Sequence, residues 1–125
     1  MIKQLANASI WSENLNNLLP FYRDVLGLNV AMDSPEYVYL APDEQSPGLG
    51  LATHSEVHGR NTDPARHMVA FLSDDLPADW KRLKDAGVEF IQDPTDYGDG
   101  MSIATLKDPE GNYVQLFSMQ SQPAS

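Results

Sequence analysis

The stretches 8–30, ASIWSENLNNLLPFYRDVLGLNV, and 69–90, VAFLSDDLPADWKRLKDAGVEF, repeat one pattern at an offset of about 60 residues. In each, alternating apolar residues (Ile10; Val69 and Phe71) give way to Ser, acid, polar, Leu at Ser12 to Leu15 and Ser73 to Leu76. Alternation is the period of a half-buried strand, and Asn14 and Asp75 stand where a side-chain oxygen can accept from the first free N–H groups of a helix. Gly27 and Gly87 fall where such a helix would end on a left-handed residue, and Leu28-Asn29-Val30 and Val88-Glu89-Phe90 enter a new strand. The repeated unit is strand, cap, helix, glycine, strand.

The two helices are not equally regular. In the second, Trp80, Leu83, Lys84 and Ala86 share a helical face, which leaves Asp79, Arg82 and Asp85 for solvent. In the first, Pro20 stands inside a helix drawn from Asn14 to Leu26, so the sequence predicts a kink or a start near Asn17. Two further strands follow each unit: EYVYLA and GLGLAT, then MSIATL and YVQLFS, the last pair joined by a turn at Asp108-Pro109-Glu110-Gly111-Asn112.

The expected fold class is therefore α+β: two tandem βαβββ modules, about 3–55 and about 66–119 of a single domain spanning 1–125, joined by SEVHGRNTDPAR. Four strands and one helix cover one sheet face only, so two such modules predict a curved mixed sheet around a cavity with helices outside. The closing QSQPAS is expected to be disordered.

Composition excludes several functions. There is no cysteine, hence no disulfide framework, thiolate metal site or cysteine nucleophile. A net charge of −10, from 18 acidic against 8 basic residues, repels nucleic acid and anionic membrane surfaces while raising the local concentration of cationic small molecules. No apolar run approaches the length of a membrane span, and MIKQLANASIW does not read as a secretory signal, so a cytoplasmic setting is expected. Neither a Ser-His-Asp order nor a nucleophile elbow supports a hydrolase.

FYRDVLGL at 21–28, a later strand passing into FLSDDL, and DPEGNYVQLF at 108–117 together resemble the vicinal oxygen chelate superfamily, which includes glyoxalase I, extradiol dioxygenases and bleomycin-binding resistance proteins. The likeness runs from Leu5 to Ser118 and implies a homodimer. Metal-dependent members hold a divalent ion with four side chains, usually His, Gln or Glu, on the first and last strands of each module. Carried over one by one, those positions fall on Asn7, on or within two residues of Gly50, on Met68 and on Gln115. None supplies a carboxylate or an imidazole, so the resemblance implies no metal and no cofactor here.

Strand alternation extends the face carrying these positions. Asn7 brings Ser9 and Trp11; Met68 brings Ala70 and Leu72; Gln115 brings Tyr113 and Phe117. An aromatic and apolar wall with a few neutral polar groups suits a small-molecule ligand, cationic or aromatic, with Trp11 as a stacking anchor. Tyr97, in TDYGDGM before a strand, is expected on a loop bordering that face, where Asp96 and Asp99 would favour a cation.

These residues suggest a metal-independent small-molecule-binding protein of the sequestering or resistance type. The alternative is a metal-dependent lyase, isomerase or dioxygenase whose ligands are His67, His54, Gln115 and Glu56. His54 and His58 have helical i, i+4 spacing but lie between strand and loop patterns, and His67 should face away from Met68.

Overall fold

A computed structural model describes residues 1–119; the predicted disordered tail, 120–125, lies outside the described residues. The chain divides into two compact units, Met1–Arg60 and Asn61–Ser125.

The first unit holds strands β1 (Ala8–Ser12), β2 (Val30–Ser34), β3 (Tyr37–Leu40) and β4 (Leu49–Thr53) in one sheet of order β1-β4-β3-β2. The first and last strands run parallel, and the other pairs are antiparallel. Between β1 and β2 the expected helix is replaced by a 3₁₀ turn at Leu15–Asn17 and a π-helical turn at Phe21–Val25. Pro20 is the reason: it has no N–H to bond backward, so it opens a new turn at φ −60° rather than continuing the old one. The Asn14 side chain caps the first turn, accepting from Asn16 N at 3.0 Å, and Leu26 N donates five residues back to the Phe21 carbonyl at 2.9 Å. Gly27, at φ +80°, turns the chain into β2.

This broken helix still buries an apolar stripe. Leu15, Leu18, Phe21 and Tyr22 are withdrawn from water together with Val38, Leu40, Leu49 and Leu51 of the sheet. Each fully buried leucine contributes about 2 kcal/mol by transfer from water.

The second unit repeats the order with β5 (Val69–Leu72), helix α1 (Leu76–Asp85), β6 (Phe90–Gly98), β7 (Met101–Lys107) and β8 (Tyr113–Met119), in a sheet of order β5-β8-β7-β6. Again the first and last strands pair in parallel. The Asp75 side chain caps α1 by accepting from Ala78 N at 3.2 Å, and Gly87 leaves it at φ +91°.

The buried stripe of α1 differs from the expected one. Leu76 and Leu83 are buried and Trp80 half-buried, whereas Lys84 and Ala86 are exposed. Lys84 bridges the two environments, its ammonium 5.0 Å from the Trp80 ring centre. Asp79 is not left to solvent, because it accepts from the buried Ser73 hydroxyl at 2.7 Å. Under the helix lie Ala104, Leu106, Val114 and Leu116, all buried. Both units are thus α+β modules built on a four-stranded mixed sheet, as the sequence repeat predicts.

Candidate functional site

Residues opposite one another in a sheet share a face, so the register sorts each unit's side chains. In the first unit Val38, Leu40, Leu49 and Leu51 point to the helical turns, and their neighbours point the other way. That second face carries the rows Ser9–Gly50–Tyr39 and Trp11–Ala52–Tyr37. Asn7 immediately precedes β1.

Gly50 is the centre of this face. A Cβ added there would meet Ser9 Oγ at 3.0 Å, the Tyr37 hydroxyl at 3.0 Å and Tyr37 Cε2 at 3.1 Å. The Tyr37 phenol therefore fills the space a side chain at residue 50 would enter. Asn7 Nδ2 donates to the Tyr37 oxygen at 3.4 Å, a long bond that still ties the strand entry to the phenol. Trp11 remains 46% exposed and meets His54 edge-on, with ring centres 5.6 Å apart.

In the second unit the corresponding face carries the row Ala70–Gln115–Thr105–Gln92, one residue from each strand in β5-β8-β7-β6 order. Thr105 donates its hydroxyl to Gln92 Oε1 at 3.3 Å, and Gln92 Nε2 donates to the Tyr97 hydroxyl. Along β8, Tyr113, Gln115 and Phe117 are half-buried, whereas the alternate residues Val114, Leu116 and Ser118 are buried. Met68 immediately precedes β5, as Asn7 precedes β1, and is exposed.

Gln115, between Ala70 and Thr105 in this row, is open. Among the described residues no side chain hydrogen-bonds the Gln115 amide, and no buried side-chain nitrogen or oxygen lacks a partner, so this amide reaches solvent.

Tyr97 is not on a loop. Strand β6 runs to Gly98 and joins β7 through a tight turn with Asp99 at φ +54°. The Asp96 carboxylate accepts from Gly98 N at 2.7 Å and so shapes that turn. Sequence reasoning missed Tyr37, Thr105 and Gln92. Glycine inside the GLGLAT strand was the available signal for Tyr37, since it marks a close approach.

The three histidines lie outside the helices and strands. His54 Nδ1 accepts from Glu56 N at 3.0 Å, His58 Nδ1 lies 3.5 Å from Glu13 Oε2, and His67 is exposed outside β5. Within either unit, no three His, Asp or Glu side chains among the described residues gather as a metal ion would need.

The model of the Glyoxalase/Bleomycin resistance protein/Dioxygenase superfamily matches residues 4–116. The chain belongs to this superfamily. It is 23% identical over 119 residues to the uncharacterized protein YetH of Bacillus subtilis, covering 93% of this chain and 98% of that one. Among solved structures, the trypanothione-dependent glyoxalase I of Leishmania major superposes with a TM-score of 0.71 at 22% identity, covering 94% of this chain and 87% of the other. A superfamily member from Sphaerobacter thermophilus gives 0.72 at 20% identity, covering 94% and 98%. At these identities the structural likeness is one of fold.

The superfamily's metal positions can be tested against the donors this chain offers. Gly50 lies opposite Ser9 as Gln115 lies opposite Ala70, so the two are equivalent in the repeat. The set Asn7, Gly50, Met68 and Gln115 then comprises two neutral amides, a thioether and no side chain. Hard and borderline divalent ions need anionic oxygen or imidazole in most positions, and this set does not fit one.

Proposed function

We propose that this protein binds small molecules without a metal ion, as a sequestering or resistance-type member of its superfamily. One observation carries the reading: the Tyr37 phenol occupies the side-chain space of Gly50, where metal-dependent relatives place a ligand. Each unit, taken by itself, presents such a face: exposed Trp11 with Tyr37 in the first, and Tyr113, Gln115 and Phe117 in the second. Aromatic area supplies affinity and neutral amides and hydroxyls supply orientation. The net charge of −10 raises the local concentration of ligands whose positive charge lies away from these neutral groups. The homodimer implied by the family resemblance and the cytoplasmic setting read from the sequence belong to this reading.

Elemental analysis tests it. The protein is exposed to excess nickel, manganese, zinc or ferrous iron, desalted without chelator and assayed for metal per chain. The expected result is background occupancy for every ion. About one ion per chain, lost when His67 or Gln115 is replaced, would overturn the proposal and direct the work to lyase and dioxygenase assays.

A further inference from the structure

The row across the second unit's sheet is more specific than a polar patch. Gln115, Thr105 and Gln92 are direct cross-strand neighbours on β8, β7 and β6, and the row runs on to the Tyr97 hydroxyl through hydrogen bonds of one polarity. Thr105 gives its proton to Gln92 Oε1, and Gln92 Nε2 gives one to the Tyr97 oxygen. Both ends of the Gln92 amide are thereby fixed. Tyr97, accepting on oxygen, keeps its own proton for an outside acceptor. At the other end the Gln115 amide offers an N–H and a carbonyl side by side, unbonded by side chains among the described residues. It stands between Tyr113 and Phe117, two residues away along the same strand face.

No charged group takes part in this row. Lys107, on the same face of β7, is held by Glu89 at 3.0 Å, and Asp96 is engaged with the turn. A carboxylate or ammonium brought onto the row would lose water without gaining a counter-charge, whereas a neutral amide edge exchanges two hydrogen bonds for two.

The geometry points to the Gln115 row as a recognition edge for the carboxamide, lactam or imide group of a planar ligand, whose ring lies against Phe117 or Tyr113. Gln115 pairs with that group through one donated and one accepted hydrogen bond. Thr105 and Gln92 act as positioning residues that aim the Tyr97 hydroxyl. This deepens the small-molecule reading above and rests on it, since it names the ligand chemistry that the second unit's sheet face selects.

Three fragments with one aromatic body separate the possibilities: benzamide, benzoate and benzylammonium. Each is titrated to about 10 mM into the full-length ¹⁵N-labelled protein, with the Gln115 and Gln92 side-chain amide signals assigned from their variants. Benzamide is expected to shift the Gln115 amide and to bind about fivefold or more tightly than either charged fragment. Gln115→Leu should weaken benzamide about fivefold while the backbone spectrum stays dispersed. The near-isosteric Gln115→Glu, which removes the amide donor, should weaken benzamide, which a merely structural glutamine would not do.

Two results would overturn the assignment: benzamide leaving Gln115 unshifted at the highest concentration, or charged fragments binding there equally well. If benzylammonium instead perturbs Trp11 while Gln115 stays silent, small-molecule binding survives and the amide edge does not. The binding reading fails on its own terms only through the metal analysis.

Discussion

The Tyr37 hydroxyl stands 3.0 Å from the point where a Cβ on residue 50 would lie. Glycine and tyrosine are therefore a matched pair, and substitutions at the two sites should not be additive. Gly50→Ala is expected to cost about 1 kcal/mol with Tyr37 present and distinctly less in a Tyr37→Ala background, where Ser9 Oγ is the close neighbour that remains. Urea denaturation of the four proteins of the cycle measures the coupling. Additive effects would mean that Tyr37 swings away freely.

Gly48, two residues earlier, makes a sharper case. A Cβ there would run into the Leu40 carbonyl and Ala41 Cβ, and the carbonyl, being backbone, cannot rotate aside. Gly48→Ala should destabilise by about 2 kcal/mol or more, and truncating a neighbouring side chain should not rescue it. The same denaturation series tests this.

Trp11 is 46% exposed on a sheet face away from its unit's helical turns. Trp11→Ala should leave stability within about 1 kcal/mol and weaken the best aromatic ligand from a fragment screen by about tenfold. Unchanged affinity, measured by calorimetry, would remove Trp11 from the site.

Asp75 accepts from Ala78 N at the start of α1. Asp75→Ala should cost about 1 kcal/mol. Asn14→Ala should cost less, because its bond to Asn16 N caps a single 3₁₀ turn rather than a ten-residue helix. Equal losses in urea melts would show that the first turn is more than a connector.

The Ser46 hydroxyl, followed by the Ser46 and Gln45 N–H groups, holds the Asp43 carboxyl below its ordinary value of 3.8. A lowered folded-state pKa means that the folded loop binds fewer protons than the unfolded chain. Its contribution is present above the ordinary value and is lost as pH falls through the folded one. The stability gap between the native protein and Asp43→Asn should be open at neutral pH and close in acid. A gap that widens below about pH 4 would contradict the assignment.

Sequence reached furthest where the cause is local. Asn14, Asp75, Gly27 and Gly87 act within their own turns, and all four were readable. The fate of the first helix was half-readable, since Pro20 announces a break but does not choose a π-helical turn over a kink. The second half of β6 was hidden by its composition: TDYGDGM, 95–101, read as loop, yet β6 is an edge strand of its sheet, where Pro94 and irregular register are tolerated. Losing the second half of that strand hid the link from Tyr97 to Gln92 and Thr105. Tyr37 was missed for a different reason: its relation to Gly50 spans two strands and depends on which pairs with which. Where the candidate residues sit within each sheet is now known from register, which spacing alone does not supply.

In both sheets the first strand pairs with the last of its own unit, Ala8–Ser12 with Leu49–Thr53 and Val69–Leu72 with Val114–Phe117, and the ladders of each sheet stay within its unit. On the ribosome this has a temporal meaning. Once Thr53 has cleared the exit tunnel, every hydrogen-bonding partner of the first sheet has been synthesised, and that sheet can form while the second half is still being translated. Within each half, however, the parallel pairing must wait for its final strand, so the N-terminal edge of each sheet is the last ladder to close during synthesis.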